Sequence, residues 1–351
     1  MTVADVLLII LWLALFIYTI FGGADFGAGM LELFAVGESG TRQETLIDES
    51  IGPVWESNHV WLIFLLVVFF TAFPPAFAAI NVVLFIPLLL AVIGIVLRGS
   101  SFVFKTHGII RRSRNVRILS RTFSVASAMT PFFLALAAAA IASGVIVIQN
   151  QSQVVTNTGS DWLTPFALTI GAMALTLCVT ISAIYMTVEA TSKGETELAE
   201  AFRRRGLIAG ALTAALGLLG LILSPSEAPA LWHGMLEKAI PLVVLTMLVG
   251  VAAAAALWFR RYVWARVLIV VEAAFLLLSW GVSQYPYIIP PDVTAASASS
   301  PLETQQFLLV GIIIALIIVV PSQWFLFYVF KLKKVTTGVD VADVEQKPAA
   351  E

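Results

Sequence analysis

Residues 52–70 read GPVWESNHVWLIFLLVVFF. Glu56, Asn58 and His59 open a run that is apolar to its end. Three polar side chains within four residues are costly beside such a run unless they meet water, a partner or one another. Pro53, Pro74 and Pro75 bound the stretch, so a helix is expected to begin near Trp55. On that helix Trp55, Asn58 and Trp61 are three apart and share one face, a packing face with an internal hydrogen bond. Glu56 and Val60 share another face, with His59 between the two.

The rest of the chain repeats the apolar theme. Of 351 residues, 60% are hydrophobic and 12% charged, against roughly half and a quarter in soluble domains. Apolar segments run over Val6–Gly22, Val60–Phe73, Ala76–Leu97, Phe123–Ile148, Trp162–Val188, Leu207–Leu223, Ile240–Trp258, Val263–Val282 and Phe307–Phe330. They are too long or too continuously apolar for barrel strands, whose mark is alternation over about ten residues. The expected fold is an all-α polytopic membrane protein with nine transmembrane helices. Residues 1–334 are expected to form one integral-membrane domain, and the polar stretch 335–351 a disordered tail.

Basic residues give the orientation. With nine spans and the N-terminus outside, every Lys and Arg except Lys238, out of 20, falls on the inner side. That asymmetry is the positive-inside pattern, and dropping or merging one span would destroy it. The outer loops, such as QNQSQVVTNTGSD and SQYPYIIPPDVTAASASSPLE, are poor in charge. The N-terminus MTVADV has no basic residue before its apolar run, so the first segment reads as a retained span. The single cysteine, Cys178, excludes an internal disulfide and a cysteine-based metal site. The glycines of FGGADFGAG lack the strand–turn–helix setting of a phosphate loop. No metal site and no nucleic-acid partner is expected.

The polar residues in apolar surroundings are the candidate site. Asp25 follows an apolar helix among Gly22, Gly23, Gly27 and Gly29; it either caps a helical piece or sits within the bundle paired to a cation. Glu56 is either an interfacial, solvated acid or a buried proton-relay carboxylate. His59 reads as an interfacial hydrogen-bonding residue before it reads as a ligand. Arg98, at the end of a long apolar run, either snorkels to the interface or pairs with Asp25 or Glu56. Glu189 lies near the inner interface, where solvation suffices for it. Glu272, in VLIVVEAAFLLL, lies about a dozen Å inside its span, so a buried partner or a functional role is expected for it.

In order, FGGADFGAG, ESIGPVWESNHVWL, FFTAFPPAFA, LRGSSFVF and SQYPYIIPPDVT resemble subunit II of the cytochrome bd-type quinol oxidases, most closely the cyanide-insensitive branch. The resemblance runs from the first span to the last. It implies two four-helix bundles plus a peripheral helix. It also implies a supporting role beside a haem-bearing subunit I in an enzyme that oxidises ubiquinol or menaquinol and reduces O₂ to water. Haem b and haem d-type groups would belong to that partner, and this chain would bind none itself. A small single-span subunit, and lipid or quinone, are further expected partners. Carried over by position, Trp55, Glu56 and Asn58 match the family's Trp–acid–x–Asn, Arg98 its helix-three arginine, and Asp25 the second acid of an aspartate–x–x–aspartate pattern. Gly22 stands where the first acid would be, and Val103 where an acid commonly follows the arginine. On this reading Glu56 and Asp25 are the proton-transfer candidates, supported by Arg98, Trp55, Asn58, His59, Trp61 and Glu272.

The implied location is a bacterial plasma membrane, with the C-terminus in the cytoplasm. Two other readings keep the same residues: a secondary transporter, whose broken helices and intramembrane acids mark a substrate site, and a scaffold subunit whose acids only fix helix packing.

Overall fold

A computed structural model describes residues 2–35, 37–107, 114–149, 153–155 and 162–329. The 335–351 tail, most of the 149–161 loop and the side chain of His107 lie outside the described residues.

Thirteen helices follow one another among the described residues. Helix α1 (Val3–Glu32) is followed by α2 (Gly37–Ile51), α3 (Trp55–Ala72), α4 (Pro74–Val83), α5 (Phe85–His107) and α6 (Arg114–Ala142). Then come α7 (Pro165–Ser192), α8 (Thr196–Glu227), α9 (Pro229–Gly234), α10 (Ile240–Trp258), α11 (Tyr262–Gln284), α12 (Ala295–Ala298) and α13 (Leu302–Phe327). A π-helical turn, Met235–Ala239, joins α9 to α10. Nine of the described stretches are long and apolar enough to cross a membrane.

Residues up to Gln305 form one compact unit. In it α1, α3, α5 and α6 pack together, α7, α8, α10 and α11 pack together, and α1 and α6 both contact α7. The second unit begins at Gln306 and contains most of α13, an apolar helix long enough to cross a membrane.

Small residues set how closely the helices approach. Lipid is as apolar as leucine, so tight van der Waals contact rather than water exclusion holds such helices together. A Cβ on Gly27 would coincide with the Cys178 carbonyl of α7, and one on Gly29 would overlap the Ser127 hydroxyl of α6. Around these contacts Ile20, Leu177, Ile181, Leu257 and Ile269 form an apolar core across α1, α7, α10 and α11. Outward, Ile63, Val67 and Phe70 of α3 and Val244, Leu248 and Val251 of α10 are exposed, as helices in lipid require.

Three features differ from the sequence-based expectation. The third apolar segment is two helices, not one. Pro87 has no N–H to return to the carbonyl of Val83, so the helix breaks at Leu84 and the span proper is Phe85–Lys105. That span runs past Arg98, because SSFVFK carries no helix breaker, and so Arg98 lies two turns inside the helix rather than at its end. Finally, α2 is an unforeseen amphipathic helix. Its Leu46, Ile47 and Ile51 are buried against Ala28, Leu31, Met186 and Phe202 of α1, α7 and α8.

Two short antiparallel hairpins interrupt the helical pattern: β1 (Val147–Gln149) with β2 (Gln153–Val155), and β3 (Tyr287–Ile289) with β4 (Val293–Thr294). The start of α1 is fixed by a capping box, in which Asp5 accepts from the backbone N–H of Thr2 at 2.7 Å. Tyr285 donates to the other Asp5 oxygen at 3.2 Å, tying the end of α11 to that cap.

Candidate functional site

Asp25 is buried within α1, 4% exposed. The side-chain amide of Asn58 donates to its Oδ2 at 2.8 Å, joining α3 to α1. Arg98 of α5 is 1% exposed and within electrostatic reach of Asp25. Its guanidinium lies 5.1 Å from the ring centroid of Phe26 and 5.3 Å from that of Phe123. Cation–π contact with two rings offsets part of the cost of taking that charge out of water. Between the two alternatives for Arg98, burial decides: it is not a snorkelling side chain. Asp25 is the acid brought to it, and it is not a cap.

The rest of the opening motif divides by face. Asn58 and Trp61 are buried, and Trp55 packs on Phe102 with ring centroids 5.5 Å apart. His59 Nδ1 lies 2.9 Å from the Trp55 carbonyl, and its ring is met edge-on by Tyr18 and Phe26. Donation to that carbonyl fixes the tautomer with the proton on Nδ1. Glu56, by contrast, is exposed on the opposite side of α3. The structure therefore unites Asp25, Asn58 and Arg98 and leaves Glu56 on the outer face of the chain, two residues from Asn58.

A second polar group lies below the first. Glu32 ends α1 with its side chain 0% exposed. Lys105 of α5 donates to Glu32 Oε1 at 2.8 Å and to Asp48 Oδ1 of α2 at 3.0 Å. Ser120 of α6 also donates to Glu32 Oε1. One turn from Asp48 on α2, Glu44 feels both Lys105 and Asp48. Burial pushes the carboxyls of Asp48 and Glu44 above their ordinary range, and Lys105 draws both part of the way back.

Sequence reasoning missed Glu32, Asp48, Lys105 and Tyr18. The signal was present for two of them: Asp25 and Glu32 are seven apart, as are Arg98 and Lys105, so each pair shares a helix face. Tyr18 was hidden because it reads as an aromatic in an apolar run. Its ring covers Gly22, where a Cβ would come within 2.8 Å of it, and its hydroxyl is buried without a partner among the described residues.

Glu272 does not meet the expectation of a buried partner. It is half-buried at the middle of α11, against Gly250 of α10, where a Cβ would lie 2.8 Å from its Oε1. Among the described residues it forms no hydrogen bond or ion pair.

No cluster of three or more His, Cys, Asp or Glu residues able to hold a metal ion occurs among the described residues. Of the histidines whose side chains are described, His59 is enclosed by aromatic rings, and His233 Nδ1 lies 2.7 Å from the Pro229 carbonyl.

Comparison with known proteins gives the following. The family described as Cytochrome bd terminal oxidase subunit II matches residues 3–330. A putative cytochrome bd menaquinol oxidase subunit II of Bacillus subtilis (strain 168) is 22% identical over 334 residues, 93% of this chain and 94% of the relative. A cytochrome bd ubiquinol oxidase subunit 2 of the same organism is 23% identical over 318 residues, 88% and 90% of the two chains. Among solved structures, a chain of the bd oxidase from Geobacillus thermodenitrificans superposes with a TM-score of 0.80 at 25% identity, covering 95% of this chain and 100% of that one.

Proposed function

This chain belongs to the cytochrome bd terminal oxidase subunit II family, and from that premise we propose that it carries protons from one membrane face toward the O₂-reducing centre of its complex. It is a multi-pass membrane protein and a subunit of a quinol oxidase, with a subunit I partner. We assign the haems to subunit I, since the described histidines of this chain offer no facing pair of axial ligands. We assign the basic side to the cytoplasm by the charge asymmetry.

The complex takes two electrons from each quinol. Reduction of one O₂ to two waters consumes four electrons and four protons, and the protons must cross apolar helices to reach it. The observation that carries the proposal is the buried Asp25–Asn58 bond beside Arg98. A carboxylate can bind and release a proton. The cation next to it keeps the anionic form affordable without solvent. Asn58 links this group to α3, where Glu56 is displayed outward. On this reading Glu56 passes protons across the subunit boundary, and Trp55, Trp61 and His59 hold the α3 end in place.

The test is the assembled oxidase carrying Asp25→Asn. The expected result is normal haem content with turnover per haem lowered about tenfold or more, equal to at least ~1.4 kcal/mol of barrier. Normal turnover would refute proton transfer through Asp25. Loss of haem and of subunit I together would favour the scaffold reading, in which Asp25 and Arg98 serve only to hold the helices.

A further inference from the structure

Asp25 is sealed from water, so a relay through it needs an uptake point. We propose that protons reach Asp25 from α2, through Glu44 and Asp48, then Glu32 beside Lys105, and then along a polar seam between α1, α5 and α6. This rests on the relay reading above and names the route that feeds it.

The seam is built on three helices at matching intervals. Helix α1 offers Asp25, Gly29 and Glu32; α5 offers Arg98, Ser101 and Lys105; α6 offers Ser120, Ser124 and Ser127. Offsets of three, four and seven return to one helix face. Ser101, Ser124 and Ser127 are all buried, in helices otherwise rich in Leu, Ile, Val and Phe. The absence of a Cβ at Gly29 is what lets the Ser127 hydroxyl lie against α1, between the levels of Asp25 and Glu32. Phe123 spans the two levels, with Arg98 at 5.3 Å and Lys105 at 5.7 Å from its ring centroid.

Exposure falls inward in steps. The Asp48 side chain is 30% exposed, that of Lys105 8% and that of Glu32 0%. At the mouth, Glu44, Asp48 and Glu32 outnumber Lys105, an excess of negative charge that raises the local proton concentration. At the inner level Asp25 and Arg98 balance. The levels are two helical turns apart, about 10 Å, too far for direct transfer.

At each level there are buried atoms without a hydrogen-bond partner among the described residues: Glu32 Oε2 below, and Arg98 Nε and Nη2 with Asn58 Oδ1 above. Such atoms are completed by ordered water. Water between them and the seam hydroxyls supplies a hydrogen-bonded chain along which a proton shifts from Glu32 to Asp25. Each shift breaks one O–H bond and forms the next, with no other reactant.

The experiment uses the whole oxidase in proteoliposomes and compares Glu32→Gln, Asp48→Asn and the double variant Glu32→Gln/Lys105→Met. The double variant removes the buried ion pair as a unit, so a merely structural pair is relieved in it while a relay stays broken. The readouts are O₂ consumption per haem, proton uptake by a pH dye on the α2 side, and the rate ratio in H₂O against D₂O. The expected result is slowing of about tenfold in both Glu32 variants and severalfold in Asp48→Asn, with a larger D₂O effect than wild type. Wild-type turnover and isotope effect in the double variant would overturn the route. If Asp25→Asn is slow while the double variant is normal, this route fails and the relay stands; if both are normal, both fail. Should the Glu32 variants not assemble, Asp48→Asn decides, and a wild-type uptake rate in it would likewise overturn the proposal.

Discussion

The side-chain amide of Asn58 donates to Asp25 at 2.8 Å, so one polar contact clamps α3 to α1 inside an apolar layer. A hydrogen bond to a charged acceptor contributes about 1.5–3 kcal/mol. Asn58→Leu is therefore expected to lower the thermal unfolding midpoint of the purified complex. Asn58→Gln, which retains the amide, should lower it less. Equal losses in the two would show that shape, not the bond, matters there.

Close helix approach gives a graded series. Gly27→Ala and Gly29→Ala place a methyl group into the Cys178 carbonyl and the Ser127 hydroxyl, whereas at Gly23 the nearest atoms are 3.6 Å away. Overpacking costs about 1–3 kcal/mol or more. The yield of folded complex in detergent should thus fall for the first two and stay close to wild type for Gly23→Ala.

Glu272 has no partner among the described residues, and a lone carboxylate against Gly250 costs rather than stabilises. Glu272→Leu is expected to leave the unfolding midpoint unchanged or to raise it. A lower midpoint would reveal a partner contributed by another subunit.

Asp48 gives a pH signature. Burial, with Glu32 and Glu49 nearby, holds its folded carboxyl above the ordinary 3.8, against the pull of Lys105; Glu44 shifts the same way. The folded state then binds more protons than the unfolded one between those two values. Stability must fall as pH rises through that window and level off above it. The protection of α2 amides, taken as exchange relative to the intrinsic amide rate at each pH, should decline from pH ~4 upward. Glu44→Gln/Asp48→Asn should flatten the slope, and an unchanged slope in that variant would place its origin elsewhere.

Much of this was legible in the residues. Hydropathy delivers helices and their number because backbone groups in lipid must bond within their own segment. The triplet spacing of Trp55, Asn58 and Trp61 foretold a packed face, and Asn58 and Trp61 are buried on it. What stayed hidden depended on tertiary neighbours. Pro87 breaks the third segment at its start, and the continuation of α5 through SSFVFK places Arg98 within the helix and buried, where a run ending at Arg98 had made it look interfacial. The tie between α1 and α5 at Glu32 and Lys105 joins residues 73 apart; the seven-residue spacings put each on the face of Asp25 or Arg98, but only the packing of the two helices pairs them. Glu56 kept its face but not its expected company, since the turn of α3 that points Asn58 inward points Glu56 out.

The most direct test of proton transfer by this chain is O₂ consumption per haem in the oxidase carrying Glu56→Gln. Glutamine keeps the size and polarity of the side chain on the outer face of α3 but cannot release a proton at neutral pH. The expected result is full haem content and intact assembly with turnover lowered about tenfold or more. Wild-type turnover at every pH measured would contradict it.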